Sequence, residues 1–187
     1  MIYPEKINSK KSNLIINILA LVSIGVALLL IIINKLTTPQ VPWAALANCG
    51  IIYIWLTVMY SIKKGTNIAG HVLLQTILVS IVMLYIDKKI GFNGWSIYIG
   101  IPIALIVANI TMLILTIISS EKYIKYAIYQ LTILLISLMP IILVVKGIIE
   151  LRFWIRTTID ISILNLMITV GLCYKDIKEA LIRKLHM

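Results

Sequence analysis

Two cysteines, two histidines, two phenylalanines and seven acidic residues are all that 187 positions offer of those types. Each shortage removes a chemistry. Cys49 and Cys173 fall near opposite ends of their predicted helices, too far apart for one disulfide, and read as buried thiols that behave as small apolar residues. The chain contains no HExxH, no P-loop, no GxSxG nucleophile, no CxxC and no DG…AR pattern, so the common zinc, nucleotide, serine and redox sites are missing. Acid–base catalysis needs titratable groups held together away from water. Here the few carboxylates gather at predicted interfaces, so the chain is expected to be no enzyme and to hold no cofactor. A metal site is not expected either. His71 belongs near one face of the membrane, Asp87, Glu150 and Asp160 near the other, and His186 lies in the tail.

Apolar length is abundant. The hydrophobic share is 61% and mean hydropathy is +1.05, well above a soluble domain. A helix needs roughly 20 apolar residues to cross about 30 Å of hydrocarbon. Runs of that kind predict spans at 14–33, 43–62, 68–86, 95–118, 126–145 and 155–174. A backbone in lipid must satisfy its own hydrogen bonds, within a helix or a closed barrel. Barrel strands alternate apolar and polar residues; ALLLIII (27–33) does not. The predicted fold class is all-α, a polytopic transmembrane bundle of six helices forming one membrane domain over 1–187. The lipid bilayer is its first partner. Lys6, Lys10 and Lys11 mimic a signal-peptide n-region, but the run that follows is too long for an h-region and no small-residue cleavage site succeeds it. The first helix is therefore expected to be retained.

The net charge of +10 reads as orientation and not as nucleic-acid binding. Lys6, Lys10, Lys11, Lys63, Lys64, Lys122, Lys125, Lys175, Lys178, Arg183 and Lys184 fall on the side of the termini. Lys35, Lys88, Lys89, Lys146, Arg152 and Arg156 fall on the other. Eleven cations against six favour both ends in the cytoplasm of a bacterial cell (N-in/C-in). Trp43, Trp95 and Trp154 sit at outer span ends, and Tyr60, Tyr123, Tyr126 and Tyr174 at inner ends, where amphipathic rings meet headgroups. The sixth span has a short charge-free stretch, 161–174. Arg156 and Asp160, four apart, are expected to form a structural ion pair at its start.

Small residues mark packing seams, since they let helix backbones approach within lipid. Ala44, Ala47 and Gly50 form one; Ala20, Ser23 and Ala27 form another. Pro102 and Pro140 each delete one helical hydrogen bond and favour a kink. The tail KDIKEALIRKLHM (175–187) repeats Ile177, Leu181 and Leu185 every four residues. It reads either as an amphipathic helix on the inner leaflet or as an extension of the sixth helix.

Ionisable and amide side chains within spans are the candidate sites. His71 and Gln75 share a face of the third helix, near its inner end. Asn48, Asn109, Gln130 and Asn165 lie deeper, on four helices. Two readings stand: hydrogen bonds that join helices, or a polar mid-membrane cavity that binds a small molecule. Asp87, Glu150 and Asp160 are expected to pair with Lys88, Lys89, Arg152 and Arg156 at headgroup level.

Several segments carry a likeness. GWSIYIGIPI (94–103), YIKYAIYQ (123–130), LMPIILVVKGII (138–149), the basic LIRKLHM (181–187) and an early YP (3–4) resemble a family of uncharacterised bacterial six-helix membrane proteins. The resemblance spans essentially the whole chain. Its members often carry an N-terminal zinc ribbon with paired CxxC motifs ahead of the YP, and this chain has no such cysteines. The resemblance implies a cytoplasmic N-terminus and no particular reaction. The functional expectation is a non-catalytic accessory or sensory membrane component, with other membrane proteins as partners. The alternative is a small-molecule binding or transport subunit. A protein that binds a peptide at its basic, aromatic outer turns is a third reading.

Overall fold

The computed structural model describes residues 9–64, 67–118 and 123–185, and the side chains within 14–63, 67–118 and 128–171. The described chain is helical: α1 (Ser9–Thr37), α2 (Trp43–Lys64), α3 (Ile68–Ile90), α4 (Ile101–Ile118), α5 (Tyr123–Val145) and α6 (Phe153–Leu185). A π-helical turn, Ser96–Gly100, leads into α4. Six stretches are long and apolar enough to cross a membrane: Leu14–Thr37, Trp43–Lys63, Ile68–Ile90, Ser96–Ile118, Ile128–Val145 and Phe153–Gly171. The sixth is among them. It is the least apolar of the six, because Arg156, Asp160 and a series of threonines, a serine and an asparagine interrupt its isoleucines and leucines.

By contacts the chain forms two compact units, Met1–Leu56 and Thr57–Met187, that divide within α2. In the first, α1 exposes Leu19, Val22, Leu29 and many similar side chains. Its more covered positions are Ile16, Ala20, Ser23, Ala27, Leu30 and Asn34. The spacing of four, three, four, three, four defines one narrow stripe, as two packed helices require. The expected seam of Ala20, Ser23 and Ala27 lies on it. Asn34 joins α1 to α2. Its Nδ2 donates to Thr38 O (2.7 Å) and Val41 O (2.8 Å), and its Oδ1 accepts from Ala44 N at 3.2 Å. Ala44 is buried there, whereas Ala47 is exposed. A Cβ on Gly50 would touch nothing within 4 Å. The α2 seam is thus narrower than its composition suggests.

In the second unit α4 contacts α3, α5 and α6, and α5 packs on both α3 and α6. Ala69, Ala108, Met112 and Ile133 form the apolar centre. The α3–α4 turn is built on Asp87, which is fully buried. Its carboxylate accepts from Asn93 N (3.0 Å), Ser96 N (3.2 Å) and the Ser96 hydroxyl (2.7 Å). Gly91, at φ +116°, provides the left-handed cap that ends α3. Beyond the turn, Gly100 lets α3 and α4 approach. A Cβ there would stand 2.7 Å from Met83 Sδ and 3.2 Å from the Trp95 ring.

Helix α6 continues unbroken through the tail to Leu185. Of the two readings of 175–187, the backbone adopts the extension. The side chains of the tail, Cys173 and His186 lie outside the described residues, as do those of Tyr123, Tyr126 and Tyr174.

Candidate functional site

The polar core of the second unit grows from spacing alone. On α6, Thr158, Ser162, Asn165 and Thr169 are separated by four, three and four residues, so they stack along one face. On α5, Gln130 and Ser137 are two turns apart. On α4, Asn109 and Thr116 are likewise two turns apart. All eight are nearly inaccessible. In an apolar interior each must find a partner or forfeit roughly 1–3 kcal/mol.

They find one another. Asn109 is the hub: its Nδ2 donates to Ser137 Oγ (2.7 Å), Ser162 Oγ (3.3 Å) and Leu105 O (2.9 Å), two hydrogens shared among three acceptors. Asn165 Nδ2 donates to Asn109 Oδ1 at 3.0 Å and to Asn109 O at 3.3 Å. Gln130 Nε2 donates to Asn165 Oδ1 (3.0 Å) and Thr169 Oγ1 (2.6 Å), while its Oε1 accepts from Thr116 Oγ1 at 2.9 Å. The ladder ends at Thr158, whose hydroxyl reaches Pro102 O (3.1 Å) or Trp154 O (2.8 Å). The serines donate onward to helix carbonyls, Ser137 to Ile133 O and Ser162 to Thr158 O. Three helices are thereby joined by neutral groups at several levels.

His71 and Gln75 lie apart from this ladder, against the second half of α2. The His71 and Tyr60 rings meet edge to face with centroids 4.8 Å apart, and Gln75 Nε2 donates to Thr57 Oγ1 at 3.0 Å. Asn67 caps α3 through Gly70 N and donates to the Tyr129 hydroxyl at 2.9 Å. A Cβ on Gly70 would overlap the Tyr60 hydroxyl, so this helix end is closely packed too. Asn48 belongs to the first unit, where Nδ2 donates to Ala27 O at 3.3 Å. Among the described residues its Oδ1 is the buried side-chain atom left without a partner.

At the α5–α6 turn, Glu150 and Arg152 form an ion pair at 3.2 Å, both exposed, and the Arg152 guanidinium lies 4.1 Å from the Tyr98 ring centroid. Arg156 and Asp160 do not form the expected pair: among the described residues, Glu150–Arg152 is the ion pair within 4.0 Å. The order along the helix is unfavourable: helical side chains lean toward the N-terminus, and a cation preceding its acid is the weaker arrangement. Asp87 departs from expectation as well: it does not pair with surface cations but caps a turn from within.

Of the five candidate ligand-binding residues, the fold brings Asn109, Gln130 and Asn165 together and leaves His71 and Gln75 elsewhere. The five hydroxyls that complete the ladder escape sequence reasoning, although the spacing on α6 is there to be read. Chemically, amides and hydroxyls exchange hydrogen bonds but neither titrate nor attack without a base. Among the described residues no carboxylate, imidazole or amine enters the ladder, and no three of His, Cys, Asp and Glu gather as metal ligands do.

A family profile matches residues 3–187. The chain belongs to the DUF6320 family of unknown function. The match agrees with the resemblance in spanning nearly the whole chain and in carrying no assigned activity, and this member has six candidate membrane helices. No curated protein and no solved structure matches the chain.

Proposed function

We propose that this DUF6320 protein is a non-catalytic accessory or sensory component of the bacterial cytoplasmic membrane, with both termini in the cytoplasm, which acts through contacts with other membrane components. The observation that carries this reading is the self-satisfied ladder. A site for a polar solute needs donors and acceptors turned toward open space. Asn109, Gln130 and Asn165 spend theirs on one another and on Ser137, Ser162, Thr116 and Thr169. That use supports a helix-joining role over the binding or transport alternative. The distribution of cations supports the orientation.

The test is direct. Asn109, Gln130 and Asn165 are each replaced by leucine, and the purified proteins are reconstituted in liposomes. Thermal stability is expected to fall, and a panel of small metabolites is expected neither to shift the melting temperature of the native protein nor to enter the vesicles. A metabolite that stabilises the native protein, and loses that effect in the leucine variants, would establish the binding alternative in its place.

A further inference from the structure

The outward face of α6 carries two charges that the ladder does not use. Phe153, Arg156, Asp160, Ile163, Met167 and Val170 follow one another at spacings of three, four, three, four and three, so they form one seam along the helix. It lies opposite the buried face of Thr158, Ser162 and Asn165. Its four apolar members are 46–71% exposed, and Arg156 and Asp160 are exposed as well. Among the described residues neither charged side chain makes an ion pair or a hydrogen bond.

Contacts between helices fix the depth of Asp160. Thr158, just outward of it, donates to Pro102 O at 3.1 Å, and Ser162, just inward, accepts from the Asn109 amide at 3.3 Å. Pro102 and Asn109 stand about 9 Å and about 20 Å into the Ser96–Ile118 span by helix rise. Along its own helix Asp160 lies about 10 Å past Phe153, where the sixth span begins. Its carboxyl group is therefore within the span and on the side of α6 turned away from the bundle. Ionisable groups at such a level almost always face a bundle interior or pair with one another. Within one chain Asp160 does neither. Arg156, one turn outward, carries the opposite charge on the same face.

We infer that this seam is where a second copy of the chain docks, with Arg156 of each copy paired to Asp160 of the other. Charge complementarity selects the occupant. Two copies inserted alike, and related by a twofold axis along the membrane normal, bring their α6 helices together in parallel. Residue i of one then meets residue j of the other in both directions. Axes of packed helices stand roughly 8–10 Å apart, and Arg156 and Asp160 differ in level by about 6 Å. The long arginine side chain covers that diagonal. One contact thus pairs both acids with both arginines and removes the carboxyl groups from lipid. A foreign helix with a single charge would leave Arg156 or Asp160 unpaired. The inference does not rest on the accessory role, since a binding or transport subunit would pair in the same way.

The experiment uses the full chain, labelled at its amino terminus with a donor or an acceptor dye and reconstituted in liposomes of phosphatidylethanolamine and phosphatidylglycerol. Energy transfer is followed as the protein is diluted in lipid. The native protein is expected to self-associate. Arg156→Asp and Asp160→Arg should each weaken self-association about a hundredfold, about tenfold for each of the two pairs lost. Mixed together, these two single variants should associate with each other as the native protein does, because each supplies the charges that the other lacks. Helicity and melting confirm folding, with Arg156→Gln and Asp160→Asn as milder variants that should weaken association without rescuing each other. In a Cys49→Ser, Cys173→Ser background, Met167→Cys on the seam should form a disulfide between copies on oxidation, and Leu135→Cys, exposed on α5, should not. A native protein that stays monomeric at every dilution would overturn the inference and leave Arg156 and Asp160 to a different membrane helix. Undiminished self-association of a folded charge-reversed variant would overturn it too, as would failure of the mixed variants to associate or cross-linking through Leu135→Cys in place of Met167→Cys.

Discussion

Asn109 donates to two helices and accepts from one of them, which makes it the residue on which the second unit depends most. Leucine there keeps the branched outline but leaves the Asn165 amide only its longer bond to Asn109 O and removes the donor from Ser137. Single hydrogen bonds between membrane helices average only about 0.6 kcal/mol, but several are lost together and buried groups are left unpaired. A destabilisation of about 1–3 kcal/mol is expected, measured as a lower melting temperature in detergent. An unchanged melting point would mean that the ladder contributes nothing. Asp87 poses a different question at the same scale. Its two oxygens receive three donors from the turn that follows. Asp87→Ala should accelerate hydrogen exchange at the amides of Asn93 and Ser96 while leaving the amides of mid-α3 protected; uniform protection across the turn would contradict that role.

At the scale of elements, helix approach is set by single atoms. Gly100 accommodates the Met83 side chain and the Trp95 ring, which are parts of one contact between α3, the π-helical turn and α4. Gly100→Ala should cost about 1–3 kcal/mol through overpacking. The second change Met83→Ala should restore part of that loss, because the nearest obstructing atom is a thioether sulfur. Failure of the double variant to recover would place the strain in the ring or the backbone. The π-helical turn itself, with Ile101 N bonded to Ser96 O, is not legible in the sequence, since an apolar run contains no signal for a one-residue change of register. The Gly91 and Gly147 caps are legible in principle. Each glycine closes a lysine-bearing helix end, as left-handed caps do.

For the molecule as a whole, the testable statement is its passage through the membrane. Six candidate spans and the excess of cations at alternate turns lead to the expectation that reporters fused at either terminus, or inserted after Lys63, respond as cytoplasmic. A reporter placed in the α5–α6 turn should respond as external. Opposite locations for the two termini would require one span to be removed from the count. Helix α6, at 33 residues, is about 50 Å long by helix rise, more than the hydrocarbon thickness. Its charged final turns therefore extend past the span while the helix stays continuous.

The sequence by itself determined the solvent and the span count. Both follow from average hydropathy over about 20 residues, a quantity that needs no knowledge of neighbours. It also nominated Asn109, Gln130 and Asn165, because amides in lipid are costly wherever they point. Only the tertiary structure decided that those three meet, that His71 and Gln75 stand elsewhere with Tyr60 and Thr57, and that Asp87 turns inward while Arg156 and Asp160 part. Hydropathy averages over every face of a helix, whereas a hydrogen bond depends on which face meets which neighbour across about 3 Å.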